Sequence, residues 1–98
     1  MTRKPTHPGV FFKREVLDKH HISLADASRH LGIDEDTLTV FANGQSRCSV
    51  IMARRLALAT GTSIDIWLNM QSIRDIWEAE NITEDLGVDL AFWRMGRA

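Results

Sequence analysis

Between Ser23 and Gly44 the residue types and their spacing suit two short helices that present one face to base edges. Ala27 is small where a second helix would cross the first, Gly32 can take the left-handed turn between them, and Ile33 is apolar just after it. Leu24, Leu31 and Leu38 would hold the two helices at a fixed angle and leave one side of the second free for a major groove. This is the pattern of a helix-turn-helix over residues 23–44, although short helical pairs with a glycine turn also serve as plain packing motifs. On the first reading Glu35, Asp36, Thr39 and Val40 face base edges. The amides at Ser23 and the side chains of Thr37, Gln45 and Arg47 hold phosphates and fix register.

Charge argues against that reading as much as for it. The chain of 98 residues carries 12 Lys and Arg against 13 Asp and Glu, a net charge of -1, so it has no bulk attraction for a polyanion. Between Ser23 and Arg47, Arg29 and Arg47 stand against Asp26, Asp34, Glu35 and Asp36. Phosphate contacts usually dominate affinity, so positive charge has to come from elsewhere, and Arg3, Lys4, Lys13 and Arg14 are the candidates. The acids also have a purely structural use. Asp34 can cap the second helix, and acids in a first turn offset the helix dipole. A carboxylate can alternatively accept from a cytosine amino group.

Other chemistry finds little support. His7, His20, His21 and His30 lack metal-ligand spacing and are expected at the surface. The single cysteine, Cys48, cannot form an internal disulfide or build a cysteine zinc site, which suits a cytoplasmic protein. No nucleophile and base pair and no glycine-rich phosphate loop is visible, so neither an enzyme nor a cofactor is expected. No apolar run is long enough to span a bilayer, and no signal-peptide core follows the N-terminal charges, so no membrane partner is expected either.

The elements that must position the motif read as all-α, in a single domain. Pro8-Gly9 opens a first helix to about Lys19. Ser23 and Asp34 cap the two helices of the motif, Ser49 opens a fourth closed by Gly61, and Ser63 opens the longest, to about Glu80. Leu38 and Phe41 face inward on the third helix, and Met52, Leu56 and Ala59 share a stripe on the fourth, where Arg54 and Arg55 are expected in solvent. The apolar residues of the fifth helix spread far beyond the arc that one buried face needs. Either it is a central core helix, with Trp67 and Trp77 buried, or its second face, with Ile66, Met70, Ile73, Ile76 and Trp77, joins two copies. The chain thus divides into a basic arm (1–7), a helix-turn-helix domain (8–80) and an acidic, aromatic tail (81–98) suited to a basic protein partner.

Taken together, His7-Pro8-Gly9, the motif ending in Asn43-Gly44, Met52-Ala53-Arg54-Arg55-Leu56-Ala57, Gly61-Thr62-Ser63, Trp67-Leu68-Asn69-Met70-Gln71 and Asp75-Ile76-Trp77 resemble the HigA-type antitoxins, over about residues 5 to 80. The Trp-Leu-Asn-Met-Gln block is the most specific part. The resemblance implies a five-helix lambda-repressor-like domain with a short C-terminal tail. It further implies a homodimer that neutralises a HigB-type, mRNA-cleaving toxin and represses its own operon through a palindromic operator. Relatives usually carry a basic or polar residue at the position of Glu35 and a small polar one at Asp36. That departure keeps a rival reading open, a protein-binding module of the same fold that has lost DNA.

Overall fold

A computed structural model describes residues 3–96. Among them there are helices and no strand: α1 (Pro8–Phe12), which continues directly into a wider π-helical stretch (Lys13–Asp18), α2 (Leu24–Leu31), α3 (Glu35–Ala42), α4 (Val50–Thr60), α5 (Ile64–Glu80) and a single turn, α6 (Phe92–Met95). No helix among them is long and apolar enough to cross a membrane.

The start and stop signals act as the chemistry of helix ends requires. Ser23 Oγ accepts from the Asp26 amide at 3.0 Å, Asp34 Oδ1 from Thr37 at 3.1 Å, and Ser49 Oγ from Met52 at 3.0 Å, each satisfying an otherwise orphaned donor. Gly32 and Gly61 end α2 and α4 in the left-handed region, at φ 72° and 68°. Ser63 precedes α5 with extended backbone but makes no capping bond. The neighbouring Thr62 hydroxyl accepts instead from the Trp67 indole N–H at 2.8 Å, which lets that ring be buried without an unpaired donor. In the π-helical stretch residues five apart lie above one another, and Lys13 pairs with Asp18 across that turn at 3.1 Å.

The core is one cluster. Phe12, Leu17, Leu31, Leu38, Phe41, Met52, Leu56 and Trp67 pack together, with Phe11, Leu24, Ile33, Ile64 and Leu68 against them. α3 sits between α1 and α2, while α4 packs on α5. Ala59 lies outside the expected stripe, exposed near the end of α4. Gly9 is required by proximity rather than by a turn. A Cβ at this position would lie 1.8 Å from the Phe41 carbonyl oxygen, so α1 crosses α3 with backbone against backbone.

Three expectations about side-chain placement are corrected. His7 is not at the surface but buried, 6% exposed. Its Nδ1 accepts from the Gly9 amide at 2.8 Å, and its Nε2 lies 2.8 Å from the Ser46 carbonyl, to which it donates as the neutral tautomer. Arg55 is not simply solvated, because its guanidinium donates to the Leu31 carbonyl at 2.8 Å and closes the end of α2. On α5 the broad apolar arc divides. Trp67 is buried in the core, Met70 packs partly against it, and Trp77 is half-buried with the Lys4 ammonium 5.6 Å from its ring centroid, so Met70 and Trp77 reach the free face only in part. Ile66, Ile73 and Ile76 remain exposed. The segment before α1 lies along α5, where Arg74 donates to the Pro5 carbonyl at 3.0 Å. From Asn81 to Gly96 every residue is exposed, and the longest axis of the chain reaches 59 Å against 25 and 22 Å.

Two stability measurements check this packing. Alanine normally stabilises a helix over glycine by up to about 1 kcal/mol, yet Gly9→Ala is expected to lower unfolding stability by about 3 kcal/mol because the crossing must open. Chemical denaturation gives the sign directly. Burial lowers the pKa of His7 from 6.5, against the Ser46 bond that raises it. The unfolded chain therefore binds the extra proton first, and the stabilisation is complete above pH 6.5 and declines as pH falls below it. Denaturation midpoints between about pH 7.5 and 5.5 are expected to drop, with a flatter profile for His7→Gln.

Candidate nucleic-acid interface

α3 buries Leu38, Phe41 and Ala42 and leaves the opposite side to solvent. At 100° per residue, Asp36, Thr39, Val40 and Asn43 form the centre of that outer face, with Glu35 at its edge. Val40 is 40% exposed, the one large apolar side chain on this surface. Asn43 was not among the residues expected to face base edges, yet it is exposed on this side. Its position seven residues after Asp36, two helical turns on, was the available clue.

The first turn of α3 is internally satisfied. Besides accepting from the Thr37 amide, the Asp34 carboxylate takes a short hydrogen bond from the Thr37 hydroxyl. These two bonds, the hydroxyl one foremost, hold its pKa below the ordinary carboxylate value. Thr39 donates to the Glu35 carbonyl at 2.8 Å. The hydroxyl protons of Thr37 and Thr39 are thus committed within the helix, which leaves both oxygens as acceptors. Glu35 and Asp36 project freely. Ser23, at the start of α2, is exposed with its oxygen committed to the cap.

The connection from α3 to α4 is fixed from both sides. His7 binds the Ser46 carbonyl, and Gln71, only 5% exposed, accepts from the Cys48 amide through Oε1 at 2.7 Å. Gln71 Nε2 donates to Asp75 at 2.9 Å, and Asp75 receives Arg47 in a two-pronged pair at 2.7 and 2.9 Å. The Arg47 bond, then the Gln71 bond, lowers the pKa of Asp75. Burial pushes the Cys48 thiol up to about 11, so it stays protonated and unreactive at neutral pH. Gln45 is exposed at the open end of this connection. The specific block seen in the sequence therefore has a mechanical purpose: Trp67 fills the core and Gln71 holds the backbone that follows α3.

The cations expected to meet phosphates are distributed differently from the face itself. Arg47 is turned onto Asp75, Lys13 onto Asp18, and Arg14 onto Glu15 at 3.1 Å, with its guanidinium 6.0 Å from the Phe11 ring centroid. Lys4 lies against Trp77 of α5, and Arg3 is exposed next to it. Surface pairs of this kind contribute only about 0 to 1 kcal/mol, so a phosphate can displace the partner acid at little cost.

No family model matches the chain. It is 34% identical to an HTH-type transcriptional regulator of Escherichia coli K12, YbaQ, over 88% of this chain and 79% of the relative. Two solved structures from Pseudomonas aeruginosa share its fold. One, in complex with its 18-bp operator DNA, has a TM-score of 0.75 at 32% identity, covering 80% of this chain and 84% of the other. The second, the antitoxin HigA with the higBA promoter, has a TM-score of 0.74 at 31% identity, covering 84% and 98%. With the capped helix pair, the pinned connection and this degree of likeness, the chain belongs to the HigA-type antitoxin family of helix-turn-helix regulators.

Proposed function

We propose that the protein is an antitoxin and autorepressor: a dimer that binds a palindromic operator through α3 and neutralises an mRNA-cleaving, HigB-type toxin by binding it. The observation that carries the DNA part is the outer face of α3, Glu35, Asp36, Thr39, Val40 and Asn43, held clear of the core in a chain 31% identical to an antitoxin solved on promoter DNA. Val40 suits a thymine methyl, Asn43 an adenine edge, and Glu35 or Asp36 a cytosine amino group. Thr37 and Gln45 flank that face, and Ser23 offers the start of α2 to a phosphate. Lys13, Arg14 and Arg47 supply positive charge by exchanging their present acid partners for phosphates, and Arg3 and Lys4 add to it. The toxin part rests on family membership.

The exposed Ile66, Ile73 and Ile76 support pairing through α5, since three large aliphatic side chains on one side of a helix are a poor water-facing surface. A twofold axis there also supplies the two recognition helices a palindrome needs. The acids on α3 and the partnered cations favour one rival, a toxin-binding module without DNA. Binding of the wild type to its own upstream region at low salt separates the two, and no binding there leaves the rival.

Sedimentation at micromolar concentration is expected to give twice the mass of the chain. Ile73→Asp should return it to monomer with its helix content intact, because an unpaired charge in an interface costs several kcal/mol. Gel shifts check the base-reading acid. Glu35→Gln is expected to bind unrelated DNA more tightly while losing about 1 to 3 kcal/mol of preference for the operator.

A further inference from the structure

An apolar groove on the side of the domain formed by α1, α2 and α4 has no part in the DNA-binding face. Val16, Leu17, Ile22, Ala27, Leu31 and Ala59 line it. It continues past His30 to Arg55 and Leu58, the last 70% exposed. Its rim is basic. Arg55, which lines the groove with His30 and donates one guanidinium N–H to the Leu31 carbonyl, and the exposed Arg54 beside it in sequence form no ion pair among the described residues.

The tail has the complementary character. Leu86, Val88, Leu90 and Phe92 are each at least 66% exposed, with Glu84 and Asp85 just before them and Asp89 between Val88 and Leu90. Exposed apolar side chains of this kind gain from burial, and the acids beside them match the arginine rim.

We propose that the groove receives residues 84–92 of a second copy, so that the two protomers of the dimer exchange tails. This rests on the α5-paired dimer. α5 spans 17 residues, about 25 Å, and begins four residues after Thr60, which lines the groove. If the exposed isoleucine stripes pair antiparallel, the end of α5 in one protomer lies beside the start of α5 in the other. The tail then leaves Glu80 next to its partner's groove, while its own groove is a full helix length behind. The tail standing off its own domain agrees with an occupant that comes from outside.

The test uses the full chain. Leu58→Glu alters the groove on an exposed helical position, and a double variant, Leu90→Glu with Phe92→Glu, alters the tail. Circular dichroism verifies that each folds. In sedimentation equilibrium each is expected to raise the dimer dissociation constant about tenfold or more, and combining them should add little beyond either alone. Protease should cut the wild-type tail slowly at concentrations where the dimer forms and quickly where it does not. Wild type that dimerises with a constant unchanged by either variant overturns tail exchange and leaves the α5 dimer intact. Monomeric wild type overturns both. Loss of toxin capture by the tail variant alone, with dimerisation unchanged, assigns the tail to the toxin and likewise overturns the exchange.

Discussion

The fold depends on two neutral polar side chains that hold the backbone between α3 and α4. His7 takes the Ser46 carbonyl from one side and Gln71 takes the Cys48 amide from the other, two buried side chains 64 residues apart in the chain. Both are buried with every polar atom partnered, as the absence of orphaned side-chain atoms among the described residues shows. Loops of this length ordinarily drift. Here the start of the chain, the loop and α5 form one unit, and α3 cannot change its tilt without breaking a buried hydrogen bond. Neutral groups serve better than charges in this role, since their desolvation cost is small enough for one or two bonds to offset.

Much of this was legible in the sequence, because helix ends speak through local chemistry. Ser23, Asp34 and Ser49 cap, and Gly32 and Gly61 turn left-handed, from interactions spanning only a few residues. What was not legible depends on partners distant in the chain. Gly9 read as a helix opening, but its reason is a carbonyl 32 positions later, at Phe41. His7 has no local feature that marks it as buried. Met70 and Trp77 share the side of α5 that carries Ile73, and no helical wheel reveals that the core claims Met70 or that the segment before α1 covers Trp77. Arg47 looked like a free cation until Asp75 was found beside it.

The acidity of α3 acquires a definite meaning from the same geometry. Asp34 belongs to the helix, as a cap with a stabilised carboxylate, and its charge is partly absorbed by the amides it faces. Glu35 and Asp36 do not share that function, and their outward position sets a penalty against phosphate that only favourable base contacts can offset. A reader built this way gains discrimination at the expense of general affinity, since unrelated DNA meets the repulsion without the compensating hydrogen bond. Under the proposed reading Lys13, Arg14 and Arg47 act in the same direction, as each would have to give up an acid before it could hold a phosphate.

The central claim is that a pinned α3, doubled by a twofold axis through α5, reads two half-sites. Hydroxyl-radical footprinting of the wild-type protein on the DNA upstream of its own reading frame tests this most directly. The account predicts two protected patches on one face of the duplex, related by symmetry and centred about one helical turn, roughly 10 bp, or a multiple of it apart. A single patch without symmetry, or no protection at low salt, would contradict it.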